Sequence, residues 1–473
     1  MVQRPLTFVN PAKSPRFREN DFGKKLLPCP ALRLTHRSNC CMITGIISFS
    51  ERTITMKRRS FLQAAATAVA APLIIPRSVL GQDGKPGANE SVTIGLIGLG
   101  GRCTGIYPRD VKEAKGAKVA AVCDINPVRV ERFMKRFKDD FTPEQGFNDI
   151  RTMIEKAKVD AVFCETTTHQ RAWAVAQAMI RGVHTYIEKP IVLTIAEGRY
   201  LVNLARKHKV VTQCGSQQRS LPLCQWACEQ VQNGRIGKIK EVLAPNFVGP
   251  NQWDDAANTK AEPYIDGLND DVWDQWLNQS KFRPFNRALY HNWSNWWDYD
   301  AGGLCFGVSG WGTHSYDQIN MALGLNDTGP TEIMLEEPCT VQDSGKFQTR
   351  RPTDEETGAA YYGMAKVKGP RGKITMKTKE GIAIKLHLDG DWGPGLGCIV
   401  VGEKGKIEIN RHKIASNPKE IAAEGMKDHK NTRSETVYHV ENFIECIKSG
   451  KKCTADIEIG QRSTSFCELV NIV

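Results

Sequence analysis

Val92-Thr93-Ile94-Gly95-Leu96-Ile97-Gly98-Leu99-Gly100-Gly101-Arg102-Cys103 is the stretch on which the reading of this chain turns. An apolar run over Val92–Gly98 predicts a buried strand, and the glycines after it predict a tight turn into a helix. Gly98 permits the turn, and Gly100 lets the backbone approach a pyrophosphate at the start of the helix. Gly101 and Arg102 complete the cradle. The third glycine of the GxGxxG pattern is replaced by Cys103, which is small enough to keep helix and strand close. Asp124 follows 21 residues after Cys103, at the end of the next strand. A carboxylate there accepts from both ribose hydroxyls and repels a 2′-phosphate, so NAD is expected over NADP.

Outward from this unit the chain alternates short apolar runs with longer amphipathic ones. Lys118–Asp124, Asp160–Thr166, His184–Glu188 and Val210–Cys214 read as further strands, and Arg129–Lys138, Arg171–Arg181 and Ile195–Lys207 as helices. The alternation predicts a Rossmann domain, a doubly wound parallel α/β sheet, over residues 91–215. After Ser216 the texture changes. Helical Leu221–Gln232 leads into strand-like Lys238–Phe247, then an aromatic, loop-rich stretch. Short runs at Lys373–Thr378, Ile382–Leu388, Cys398–Val401 and Lys406–Ile409 follow, and Val437–Ser449 reads as a helix. An α+β domain with a mostly antiparallel sheet is expected over 216–473.

The 473 residues carry 64 Lys+Arg against 52 Asp+Glu, a balance that first suggests nucleic acid. Its location removes that reading. Residues 1–90 hold 14 basic and 5 acidic residues, leaving 50 against 47 in the rest. Within that leader, Lys57-Arg58-Arg59-Ser60-Phe61-Leu62-Gln63 and the apolar Ala64–Ile75 have the order of a twin-arginine signal. The apolar run is too short to span a bilayer, which takes about 20 residues. Residues 56–90 are therefore read as signal and linker, with no membrane anchor once removed, and the destination as periplasmic or otherwise exported. Met56 is the expected natural start, and residues 1–55 an upstream extension. Three of the 15 cysteines fall in the leader, and the others lie scattered, several in apolar strands. They predict buried thiols, with no disulfide framework and no zinc spacing.

Two later motifs carry a resemblance. Tyr186-Ile187-Glu188-Lys189-Pro190 ends a strand, and Gly302-Gly303 precedes Gly312-Thr313-His314-Ser315-Tyr316-Asp317. Together they resemble the Gfo/Idh/MocA oxidoreductases, the group of glucose–fructose oxidoreductase and inositol dehydrogenase, from about Ser91 to the C-terminus. The resemblance implies a Rossmann domain followed by an open-sheet domain that serves substrate binding and oligomerisation, pyranose or cyclitol dehydrogenation, and a homo-oligomer. Two departures stand out: Gly310 where the family often has Asp, and Thr166-Thr167-Thr168-His169 where it has Thr-Pro-Asp-His. Thr166, His169 and Glu188 are carried over as cofactor contacts. The chain ends at Val473, earlier than such proteins are expected to.

Oxidising a secondary alcohol needs a base for the hydroxyl proton and an acceptor for the hydride. Lys189, at the carboxyl end of a parallel strand, is the expected base, with Pro190 holding its backbone extended. Burial and a positive nicotinamide would lower its pKa toward neutrality. His314 and Asp317 share a helix face and are expected to assist proton transfer and to orient it. Seven of ten tryptophans fall within 59 residues, beside His291. Trp311 and His291 join Lys189 and His314 as candidate sugar contacts, although at least half of these tryptophans are expected in cores. No metal is expected, since His291, His314 and Asp317 lack a compact ligand spacing. The expected function is that of an exported NAD(P)-dependent sugar or cyclitol dehydrogenase. A redox-neutral glycosidase, lyase or epimerase with tightly bound NAD, and an inactive sugar-binding protein, are the alternatives.

Overall fold

In the computed structural model, residues 91–250, 259–302, 307–342, 369–388 and 395–473 are described. The leader, on which the expected export signal falls, and Trp253 lie outside them. Strand β1 (Val92–Ile97) pairs in parallel with β2 (Ala117–Cys123) on one side. The two-residue β3 (Gly146–Phe147) extends that edge. On the other side lie β4 (Ala161–Cys164), β5 (His184–Ile187) and β6 (Thr212–Cys214), all parallel. The order β3-β2-β1-β4-β5-β6 is a doubly wound sheet, whose connections diverge between β1 and β4. Such a sheet binds its ligand in the crevice at that point, beyond the carboxyl ends of the strands.

Five helices connect these strands. They are α1 (Gly101–Ile106), which runs on through a π-helical turn at Tyr107–Val111, α2 (Pro127–Arg136), α3 (Ile150–Ala157), α4 (Thr168–Met179) and α5 (Ile195–His208). Covered on both faces, the central strand β4 is apolar throughout, with Ala161, Val162, Phe163 and Cys164 fully buried. Local signals set the helix starts: Asn126 and Asp149 accept from backbone N–H groups, and Thr194 with Glu197 forms a capping box. Strand β3 and helix α3 were not anticipated, because a two-residue strand carries no periodicity.

The second sheet is β15-β14-β13-β7-β12-β11-β8. Here β7 is Ile239–Pro245, β8 Glu332–Leu335, β11 Ile374–Lys377, β12 Ala383–Leu388, β13 Cys398–Gly402, β14 Lys406–Asn410 and β15 Lys413–Asn417. All its pairings are antiparallel except β7 with β12. Helices α6 (Pro222–Gln232) and α9 (Trp311–Ala322) cover one face, burying Cys224, Val231, Tyr316 and Ile319 against it. Between β7 and α9 lie the short helices α7 (Asp270–Leu277) and α8 (Arg287–His291). Trp273 and Trp276 stack 4.7 Å apart there, with Trp296 in the same aromatic core.

The chain does not stay on its own side of residue 215. Helix α11 (Glu435–Ser449) returns to the first sheet, where Phe443 packs on the stacked rings of Phe163 and Tyr186. Ahead of α12 (Ile457–Ile472), Ala455 accepts from the Cys214 N–H at 2.7 Å, and Gly460 lies against the Cys214 side chain. The expected 216–473 domain thus donates part of the first core. Burying one such aromatic is worth roughly 1.5–3 kcal/mol, which ties the two sheets into one compact unit. The 11 described cysteines are all free, ten of them buried.

Candidate active site

The turn after β1 is built from backbone. Gly98 has φ +83°, and a Cβ on it would stand 2.7 Å from the Thr166 nitrogen, so β1 and β4 close over a glycine only. Gly100 and Gly101 are different: a Cβ on Gly101 meets nothing within 4 Å, and one on Gly100 meets only Arg129 Nη1, at 3.5 Å. Their surface faces a cavity of about 810 Å³. Asp124 accepts from the Leu99 and Asn126 N–H groups, both at 2.9 Å, and burial raises its pKa against the pull of Arg129. Open glycine backbone, a carboxylate at the end of β2 and a roomy crevice at the switch point fit a dinucleotide.

Lys189 follows β5, and the Lys189–Pro190 peptide bond is cis. Its Nζ donates to the Gly310 carbonyl at 3.1 Å, and Gly310 is the residue that opens α9. Burial lowers the lysine pKa. Arg102 and Arg171 lower it further, while Glu188 and Asp300 work the other way. His314, one turn into α9, is buried; desolvation first, then Arg411 and Lys189, holds its imidazole neutral. Its Nδ1 is buried without a protein partner, an atom that would otherwise demand one. Lys189 thus reaches the start of the helix that carries His314, close enough for its charge to act on the imidazole.

Several expected site residues take other places. Asp317 accepts from Arg219 Nε at 2.9 and 2.8 Å and from Ser463 at 2.6 Å, with both charges buried. It fastens α9 to the segment after β6 instead of orienting His314. Arg102 leans on Glu188 and Glu165, at 3.5 and 3.9 Å. Its partners therefore come from the ends of β4 and β5. His169 is closed in by Trp276 and Tyr299, its Nε2 donating to the Trp276 carbonyl at 2.7 Å. Burial lowers its pKa to about 4. His291 lines the cavity at Gly100, apart from Lys189, and Trp311 packs on the second core beside Gly310. Thr166 abuts Gly98, and Glu188 accepts from Gln217 at 3.3 Å.

Sequence reasoning missed four residues. Glu165, at the end of β4, is wholly buried with neither oxygen hydrogen-bonded to a described residue, and burial beside Glu188 pushes its pKa up. Asp300 accepts from Thr168 at 2.5 Å and Ser309 at 2.8 Å, and Arg171 donates to the carbonyls of Pro190 and Thr166. Tyr290 holds Arg129. A charged residue at the end of an apolar strand was the available signal for Glu165; the others meet only through the fold. Among the described residues, no cluster of three or more His, Cys, Asp or Glu could hold a metal.

The sheet and its turn define an NAD-binding domain of the oxidoreductase type. Two family models match, the NAD-binding Rossmann fold of the Gfo/Idh/MocA oxidoreductases over residues 92–216 and that family's C-terminal alpha/beta domain over 244–359, together about half of the chain. The chain belongs to the Gfo/Idh/MocA oxidoreductase family. It is 28% identical over 145 residues to a myo-inositol 2-dehydrogenase of Thermotoga maritima, covering 31% of this chain and 42% of that protein. It is 32% identical over 127 residues to a glycosyl hydrolase family 109 protein of Porphyromonas gingivalis, covering 25% and 27%. The matches span less than half the length of these curated relatives. An inositol dehydrogenase homologue of Azotobacter vinelandii, solved with NAD+, shares the fold at a TM-score of 0.53 and 14% identity, covering 83% of this chain and 97% of that one.

Proposed function

We propose that the chain oxidises a secondary hydroxyl of a sugar or cyclitol, with Lys189 as the base and His314 as its partner. One observation carries this reading. Lys189 Nζ stands at the carboxyl edge of the sheet, fixed by the Gly310 carbonyl at the start of the helix bearing His314. Bound NAD would supply the hydride acceptor. The chain supplies the rest. Burial and neighbouring cations favour the free amine of Lys189, which takes the hydroxyl proton as the C–H hydride departs, leaving a carbonyl. Neutral His314 hydrogen-bonds the same or an adjacent hydroxyl and so fixes which carbon is presented. Gly98, Gly100, Gly101 and Asp124 hold the dinucleotide.

The glycosyl hydrolase name among the relatives supports a second reading, in which oxidation and re-reduction occur within one cycle and the sugar leaves cleaved or epimerised. Retention of the Glu188-Lys189-Pro190 element favours the dehydrogenase. We also propose export by the twin-arginine route, from the Lys57–Ile75 order. A panel of sugars and cyclitols, followed for both reduced nicotinamide and sugar product, separates these readings. Reduction in proportion to substrate supports the dehydrogenase; product without net reduction supports the redox-neutral cycle; neither, with nucleotide bound, sinks both.

A further inference from the structure

The cavity at the glycine turn has an outer wall that does not belong to the nucleotide fold. Tyr264, Ile265 and Asp266, with Arg287, Tyr290 and His291 of α8, face Gly100 and Gly101 across it. This segment is laid directly on the β2–α2 turn. Gly267 has φ +79°, and a Cβ there would overlap Asn126 Oδ1 and press on Val128, so its backbone lies against these two side chains with no room for one of its own. Asn126 Nδ2 donates to the Asp266 carbonyl at 3.3 Å and to the Tyr290 hydroxyl at 3.2 Å. Tyr290 accepts a second bond, from Arg129 Nε at 2.8 Å, and its ring lies 5.1 Å beneath that guanidinium. Arg129 is thereby turned so that Nη1 stands over Gly100. Beneath these contacts Ile265, Leu268 and Ile125 pack on the aromatic core of Trp273 and Tyr290.

We infer that residues 262–291 form a strap over the adenosine–diphosphate half of the dinucleotide, with Tyr290 as its latch and Arg129 as the cation it aims at the diphosphate. The consequence is a nucleotide held through many turnovers as a resident group, since it leaves only when the Asn126, Arg129 and Gly267 contacts to the strap open together. This inference rests on the Gly98–Cys103 turn being the dinucleotide site. It concerns exchange, and either reading of the chemistry is compatible with it. A retained nucleotide has a further effect: net oxidation then requires a second carbonyl substrate, or another electron acceptor, to take the hydride back before the next cycle.

The test is nucleotide exchange in the full chain. Nucleotide released on denaturation is counted after extended dialysis, and the dissociation of bound NADH is timed by fluorescence on a chase with excess NAD. The wild type is expected to keep its nucleotide through dialysis. Tyr290→Phe, which loses the hydroxyl and keeps the ring, should release it at least tenfold faster. Gly267→Ala, which lifts the strap and leaves Tyr290 intact, should do the same. Melting temperature and circular dichroism report whether each variant is folded. A wild type that binds NADH but exchanges it within the mixing time overturns the strap while leaving the site intact. Two folded variants that both release it at the wild-type rate also overturn it. A folded wild type that binds no nucleotide at all overturns the assignment of the site itself.

Discussion

The candidate site has two ends, made of different material. At the glycine turn the inner wall is backbone from one short stretch of sequence, and its entry is enforced at Gly98 by what a side chain would strike. At the Lys189 end the groups come from the loop after β5, from the start of α9 and from segments far apart in sequence. The first is a local site, in which Gly98 is replaced only at the cost of the turn. The second is an assembled site, in which residues of one motif separate into different jobs: His314 keeps a buried Nδ1 with no hydrogen-bond partner among the described residues, while Asp317, three residues on, is consumed by Arg219 and Ser463.

The sharpest way to separate the two ends is Lys189→Ala. Turnover should fall by about 100- to 10,000-fold, the range for losing a positioned acid–base group, while nucleotide content stays at the wild-type value. Nucleotide content and turnover measured on one sample check this, and loss of both would mean the lysine belongs to the cofactor end. In the wild type, the oxidation rate should rise with pH through a midpoint below the ordinary lysine value of about 10.4, because burial favours the free amine.

Asp317→Ala breaks the assembled end differently. It leaves Arg219 buried without its carboxylate, which costs about 3–5 kcal/mol in denaturant unfolding. Its effect should appear as stability, with no change in the pH midpoint of turnover; a shifted midpoint would restore Asp317 to the proton path. Gly98→Ala addresses the local end. A positive φ and a clash with Thr166 should cost about 1–3 kcal/mol, and the nucleotide should be lost with it.

How much could be read in advance follows the same division. The β1 turn, Asp124 and the parallel order were legible because each depends on residues adjacent in sequence or on a strong apolar period. The roles of Asp317, His169 and Arg102 were not. Asp317 was assigned from helix spacing, Arg102 from the glycine turn and His169 from the resemblance, and each is decided by a partner far away: Arg219, the Glu165–Glu188 pair and Trp276. The return of α11 and α12 to the first sheet was invisible for the same reason. An amphipathic helix shows that it has an apolar face, without showing which sheet receives it.

The smallest expected effect lies where the two ends meet. Glu165 is an acid whose folded pKa is raised, so its contribution to stability is complete below its unfolded value of about 4.3 and is lost as pH rises through the folded one. Glu165→Gln should therefore narrow the fall in melting temperature between mildly acidic and mildly alkaline pH. A variant and wild type with parallel pH profiles would show that Glu165 is ionised and compensated in the fold.

The central claim is that Lys189 moves the proton of the hydroxyl being oxidised while the glycine turn holds the dinucleotide independently. A single-turnover experiment tests it most directly. Wild type and Lys189→Ala, each carrying one NAD per chain, are mixed with the best cyclitol or sugar of the panel, and the rise of reduced nicotinamide is timed across pH. The account predicts a burst in the wild type that quickens with pH, and in the variant a full complement of NAD with the burst slowed by at least 100-fold. A variant that reduces its nucleotide at the wild-type rate would contradict it.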